Sequence, residues 1–544
     1  MNRRSFLGGA AVGGTVCATR SAWAADKKRP NVILLLTDDQ SYRTMGCYGN
    51  PQAKTPNLDR LAAEGVVFDR AYDTTAICMA SRAQVMTGMY EYKTGCNFQH
   101  GPLTADKWQK SYPVLMRDAG YHTGFVGKFG FAVKPTADGS SNYHSNEDLP
   151  MDSFDEWYGW PAQGQYRTAD NEFVAQYAEK YPHVTRACGA VSQDFIKNAA
   201  KSEEPFCLSV SFKASHGPMS PDKFFNDVYA DTVWEEPPNY DEAGASLKPP
   251  QAKGGRQYMS IKDFRPDKYQ ETMRKYNQLV YGIDYAVGMI REELERQGVA
   301  DNTVILFLTD NGYSCGANGM GGKVLPYEEP SRSPMIVYDP RHPVSGKGAR
   351  VQSVTANIDM APTVLDVAGL PIPGNMDGKS LMPLLDNPKG KVHDSILLIN
   401  AWGSAPTHSL AVVTEDYKYI HWPFNHEMQV AEELYDLGKD RYEMNNLAAN
   451  PEKQEILKRM QKQYDESFAA WKKECIDYGN YPLFSKIYDR HIAWDDKLAA
   501  MDSRTRRNYQ EWNQEKPKKE ESPEKKAAKA AARAKRKAEQ ANNH

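Results

Sequence analysis

NVILLLTDDQ, Asn31–Gln40, is a continuous apolar run that begins after Pro30 and ends in two aspartates. Its length and lack of alternation predict a strand covered on both faces. NTVILFLTDNGY, Asn302–Tyr313, repeats the design almost letter for letter. Between them lie TPNLDRLAAEGVVF, a helix then a strand; YPVLMRDAGYHTGFVGK, a helix then a strand ending at Lys128; and EPFCLSVSFKASHGP, a strand ending near His216. YNQLVYGIDYAVGMIREELERQG has apolar residues at helical spacing and closes on Gly298, so a long helix precedes the second aspartate run. Strands alternating with helices imply an α/β fold with a mostly parallel central sheet sandwiched by helices. Asp38, Asp39, Lys128, His216, Asp310 and Asn311 then fall at or just past the carboxyl ends of strands, the edge where open parallel sheets bind ligands.

After GKSLMPLLDNP the pattern shifts to short alternating runs, SILLINAW, HSLAVVTEDYKYIHWP and EELYDL, followed by a helix from about Pro451. This predicts a smaller C-terminal α+β domain built on an antiparallel sheet. The expected organisation is an export signal at 1–24, a catalytic domain at 25–385, the antiparallel-sheet subdomain at 386–501 and a Lys/Ala-rich tail at 502–544. The tail lacks apolar anchors for a core.

The signal, MNRRSFLGGAAVGGTVCATRSAWA, combines Arg3 and Arg4 with about thirteen weakly apolar residues and a small-x-small ending at Ala22 and Ala24. It resembles a twin-arginine signal, which directs export of folded proteins, so a bacterial periplasmic location is expected. A bilayer span needs roughly twenty apolar residues, so no stable membrane insertion is expected. The formal charge of -3 includes positive contributions from the signal and the tail, and about -11 remains on the body. Nucleic acid is therefore not an expected partner, and an anionic ligand needs a local cluster of cations. The eight cysteines show no framework spacing. Cys47, Cys96, Cys188, Cys207, Cys315 and Cys475 read as core or incidental residues.

TTAICMASRAQVMTG, Thr74–Gly88, places Cys78 directly before what reads as an amphipathic helix, with Arg82 one turn further on. Residues four apart share a helix face, and a helix amino end attracts a tetrahedral oxyanion. CMASR followed by AQVMTG resembles the signature of the formylglycine-dependent (type I) sulfatases, Cys-x-Pro/Ala-x-Arg, in the alkaline-phosphatase-like superfamily. The resemblance extends from Asn31 to about Leu447. LLLTDDQ and FLTDNG look like the family's two metal motifs, VGK like its lysine at Lys128, ASHGP like its histidine loop at His216, and GGKVLPYEEPSRSPMIV like its lysine segment at Lys323. NIDMAPTVLDVAGL, MDGKSLMPLL and ELYDLGKDRYEMNNLA resemble later landmarks. One departure stands out: the family's GKWHLG has a histidine two residues after the lysine, whereas GKFGFA places Gly130 there. Restoring an imidazole is expected to raise turnover if the glycine is a simple loss, and not to raise it if the pocket has closed around the glycine.

The resemblance implies a sulfuric ester hydrolase in which a transient maturation enzyme converts Cys78 to formylglycine. It also implies a metal held by Asp38, Asp39, Asp310 and Asn311 and by residue 78 itself. Hard oxygen ligands point to calcium, with magnesium second, rather than zinc. A hydrated aldehyde at 78 would supply one hydroxyl to attack sulfur and a second to expel sulfate. The implied roles are Asp310 as base, Arg82, Lys128 and Lys323 as cations on the nonbridging oxygens, and His216 as acid to the departing alcohol. Export, and the long segments 131–186 and 219–268, suggest a sulfated carbohydrate substrate, with Tyr143, Trp157, Trp160, Arg167 and Trp234 as candidate sugar contacts. Two other readings use the same fold: a phosphate or phosphonate monoester hydrolase, and a non-catalytic glycan-binding homologue suggested by Gly130.

Overall fold

The computed structural model describes residues 29–137, 143–424 and 431–503, with Arg506. The signal, its Cys17 and the tail beyond these residues lie outside the described residues. Eight strands form the main sheet: Asn31–Thr37 (β1), Val66–Phe68 (β2), His122–Lys128 (β3), Glu156–Trp160 (β4), Phe206–Ser211 (β5), Thr303–Thr309 (β6), Met335–Tyr338 (β7) and Ala349–Val351 (β8). Their spatial order is β8-β2-β7-β6-β1-β5-β3-β4. β1 lies between β6 and β5 and is parallel to both, with Leu34 level with Leu306 on one side and Ser209 on the other. β7 pairs antiparallel with both β6 and β2, so it alone runs against the others. The rest is the mostly parallel sheet expected from the sequence.

The apolar run of β1 is buried throughout because both sheet faces are covered. Val32, Leu34 and Leu36 enter one core, with Val85, Met86, Val364 and Leu365. Ile33 and Leu35 enter the opposite core, with Val191, Phe195, Leu279 and Ile283. Those covering residues belong to four helices: Cys78–Thr87 (α1), Val184–Ala199 (α2), Tyr269–Arg296 (α3) and Met360–Val367 (α4). α1 differs from the expected amphipathic helix. All ten of its residues are buried, so it has no solvent face and its polar side chains turn into the site or toward buried partners. Gly88, at φ 67°, ends it, a left-handed position that favours glycine.

The C-terminal region carries a separate antiparallel sheet of Ile396–Asn400 (β9), Ser409–Val413 (β10), Tyr417–Trp422 (β11) and Ala431–Asp436 (β12), in that order. The helix Gln454–Glu474 (α5) packs on it through Leu457, Met460, Tyr464, Phe468 and Trp471. The other face of this sheet joins Tyr72, Val354, Ala356 and Ile358 of the larger body in one apolar cluster. No helix among the described residues is long and apolar enough to cross a membrane. All seven described cysteines are free thiols.

Candidate active site

β1 and β6 end side by side, and their last residues set the floor of the site. The Asp310 N–H donates to Thr37 O at 2.9 Å, and the Asp39 N–H donates to Asp310 Oδ1 at 3.2 Å. The loop after β5 crosses the same edge: the Asp38 N–H donates to Ala214 O and the Ser215 N–H to Asp38 O. Backbone pairing thus holds three carboxylates together, although carboxylates repel one another and all three are buried. Tyr276, reaching up from α3, donates to Asp39 O at 2.5 Å and accepts from the Ser41 N–H. Asp39 itself has φ 56°.

The cations come from three other elements. Arg82 on α1, fully buried, donates from Nε to Asp310 Oδ2 at 2.7 Å and from Nη1 to Lys128 O and Ser211 Oγ. Lys128, the last residue of β3, donates from Nζ to Asp38 Oδ2 at 2.5 Å and to Gln163 Oε1 at 2.8 Å. Lys323 donates to Asp39 Oδ1 and, at 2.6 Å, to Cys78 Sγ. Cys78 opens α1 and lies 3.3 Å from Asp38 Oδ1. His216 Nε2 lies 3.7 Å from Asp39 Oδ2. The structure therefore brings Asp38, Asp39, Cys78, Arg82, Lys128, His216, Asp310, Asn311 and Lys323 into one cluster.

Electrostatics divides the carboxylates. Burial works against charge on Asp38, but Lys128, His216, Arg82 and Lys323 outweigh it and hold the carboxyl well below its usual range. Burial, reinforced by neighbouring Asp38, pushes Asp310 up against the pull of Arg82 and the two lysines. Burial, with Asp310 and Asp38, also pushes the Cys78 thiol up to about 12. A protonated thiol is a poor nucleophile, so the unmodified side chain is badly placed for attack. Burial lowers the basicity of His216 against the opposing charges of Asp39 and Asp38.

The donor set fits a hard divalent cation. One ligand atom each from Asp38, Asp39, Cys78 and His216 lie within 4.8 Å of one another, and Asp310 joins them through the Asp39 amide. Asn311 donates from Nδ2 to Asp39 Oδ1 and Gly312 O, while its buried Oδ1 has no hydrogen-bond partner among the described residues. A buried amide oxygen without a partner, on a residue that contacts Asp39, suits calcium or magnesium.

Gly130 does not leave an open space. A Cβ there would lie 2.7 Å from Arg82 Cδ and 3.2 Å from Lys128 Cε, at φ 85°. His122, eight residues earlier, pairs with Glu156 at 2.9 Å on the far part of β3. Gln163, Ser211 and Tyr276 were not identified from the sequence. Ser211 had a signal in its place at the end of β5; Gln163 and Tyr276 had none, because they reach the site from a loop and a helix face. The expected sugar contacts separate. Trp160 and Trp234 are buried in apolar clusters. Trp157 stacks on Phe125 at 4.9 Å, and Arg167 pairs with Asp170 at the surface. These four are packing or surface residues, whereas Tyr143 lies near Cys78 and Lys323.

Comparison with known proteins is consistent with this arrangement. The Sulfatase family model matches residues 30–370, and a model described as N-sulphoglucosamine sulphohydrolase, C-terminal, matches 316–469. N-acetylglucosamine-6-O-sulfatase of Bacteroides thetaiotaomicron is 28% identical over 532 residues, covering 84% of this chain and 91% of the relative. A protein solved with its substrate D-glucosamine-2-N,6-O-disulfate superposes with a TM-score of 0.69 at 25% identity, covering 83% of this chain and 99% of the other. Phosphonate monoester hydrolase of Agrobacterium radiobacter superposes at 0.67 with 22% identity, over 82% and 96% of the two chains, and shares the fold.

Proposed function

The chain belongs to the sulfatase family and is a sulfuric ester hydrolase; from that premise we propose that it removes sulfate from a sulfated carbohydrate, with residue 78 acting as formylglycine beside a divalent cation. The substrate class follows the relatives, one named for N-acetylglucosamine 6-O-sulfate and one solved with a sulfated glucosamine. The observation that carries the reading is the position of Cys78 at the start of α1, in contact with both Asp38 and Lys323. In this reading the catalytic domain ends at about residue 385, and the protein is exported and resides in the periplasm.

Asp38, Asp39, Asp310 and Asn311 would hold calcium, or magnesium less readily. Such an ion lowers the pKa of a bound hydroxyl and neutralises charge developing on oxygen. The formylglycine hydrate adds one hydroxyl for attack and a second for release of sulfate. The chain's own groups do the rest. Arg82, Lys128 and Lys323 balance Asp38, Asp39 and Asp310 in formal charge, so a dication is what makes the site net positive toward an anionic ester. The cations neutralise the nonbridging oxygens. Asp310 takes the proton of the attacking group, and His216 gives one to the departing alcohol.

The test uses protein co-expressed with a maturation enzyme. Intact-mass mapping is expected to find the residue-78 peptide without its thiol, and the protein to release sulfate from N-acetylglucosamine 6-sulfate much faster than phosphate from the matching phosphate ester. Chelation is expected to remove turnover, and calcium to restore it better than magnesium. A retained thiol with no sulfate release would point to the glycan-binding reading; faster phosphate release would replace the sulfatase assignment.

A further inference from the structure

Beside Cys78 and Lys323, Ile77, Ala80 and Val324 form a small apolar patch, and the half-buried rings of Phe98 and Trp402 pack against it. Tyr143 meets Phe98 edge-on, with ring centroids 4.9 Å apart, and lies within electrostatic reach of Cys78, Lys323 and Arg256. The Arg256 guanidinium sits over the Trp402 ring at 5.1 Å. These four side chains come from four distant stretches; Tyr143 joins through its ring contact with Phe98, and hydrogen bonds tie the other three stretches into one rim. The Gly403 N–H donates to Gln99 Oε1 at 2.9 Å, Ser404 Oγ donates to Gly254 O at 2.7 Å, and the Gly321 N–H donates to Gln257 O at 2.9 Å. The rim is thus tied to the loop that carries Lys323.

Rings that are each partly exposed suit the flat apolar face of a pyranose, and rigid aromatic groups bind at small entropic loss. Arg256 is exposed and has no carboxylate partner among the described residues. A guanidinium laid on an indole keeps its edge free for a carboxylate or sulfate. Resting on the sulfatase reading above, we propose that Phe98, Tyr143 and Trp402 form the wall that holds the sugar of the sulfate ester, and that Arg256 receives a second anionic substituent of that sugar.

The experiment measures binding by calorimetry in a Cys78→Ser background loaded with calcium, using N-acetylglucosamine 6-sulfate and N,6-disulfated glucosamine. Trp402→Ala is expected to weaken both sugars at least tenfold, and Trp402→Phe to recover most of the loss. Arg256→Ala is expected to weaken the disulfated sugar at least fivefold and the monosulfated one less than twofold. A glucosamine carrying a carboxylate in place of the second sulfate tells the two anions apart. The circular dichroism spectrum and cooperative thermal unfolding of Trp402→Ala are expected to match those of the parent, which shows that the variant folds. Binding of both sugars within twofold of the parent in Trp402→Ala would overturn the wall, as would a parent protein that cleaves aryl sulfate but binds neither sugar. Equal losses for both sugars in Arg256→Ala would overturn the anion assignment. A mature parent that releases sulfate from no ester would overturn the sulfatase reading and the wall with it.

Discussion

At the scale of single residues, Gly130 carries the most information. The backbone at φ 85° and the Arg82 stem 2.7 Å from the ideal Cβ position make this glycine a requirement of the present site. Only a residue without Cβ lets Arg82 pass to reach Asp310. Gly130→His is therefore expected to lower sulfate release at least tenfold, because the new side chain displaces Arg82, and to destabilise the fold by about 1–3 kcal/mol. Steady-state turnover and thermal unfolding of the variant check this; an increase in kcat would show that Arg82 yields. Cys78→Ala is expected to abolish turnover and leave the melting temperature within a degree or two, since the removed atom sits at a helix start and leaves a small void. An active alanine variant would exclude residue 78 as the nucleophile.

At the scale of elements, the strand ends were legible and the covering helices less so. Two apolar runs ending in acidic residues announce both their burial and their destination, because a continuous apolar strand has no other stable place than the middle of a sheet. The reversed direction of β7 left no trace in SPMIVYD, since side-chain pattern is blind to strand polarity. α1 reads as amphipathic in the sequence but has no solvent face, and its polar Ser81, Arg82 and Gln84 meet Asn357, Asp310 and Thr75. A similar burial governs Glu91, just beyond α1. Its carboxyl accepts from Asn97 Nδ2 and Tyr481 OH, but burial dominates and pushes its pKa up to about 7 from an ordinary 4.5. Between those values the folded chain keeps a proton that the unfolded chain has released. The associated stability is full below pH 4.5 and is lost as pH rises through about 7, on the order of 3 kcal/mol. Glu91→Gln is expected to remove that dependence. Denaturant unfolding at pH 5 and pH 8 should show a larger loss in the parent than in the variant; parallel losses would mean that Glu91 is ionised throughout.

At the scale of the whole molecule, the two sheets work as one body. Lys418 of β11 is fully buried and lies 2.7 Å from Glu328 Oε1 and 3.0 Å from Glu443 Oε1. The Glu328 N–H donates to Glu443 Oε2 at 2.8 Å, five residues beyond Lys323. Glu433 accepts from Tyr327 and Trp422 beside it. The small sheet therefore anchors the loop that delivers a site lysine, and its apolar face completes the cluster around Tyr72 and Ile358. Removing one partner of a buried charge group leaves the others uncompensated, at about 3–5 kcal/mol. Lys418→Met is expected to lose stability of that order, and adding Glu443→Gln to return part of it. A chain ending at Asp386 should fail to give a folded monomer, because it exposes the cluster shared by both sheets. Size-exclusion chromatography and circular dichroism of that fragment decide the matter: a folded, monomeric fragment would show that the antiparallel sheet is an appendage, and that Lys323 is positioned by the larger body alone.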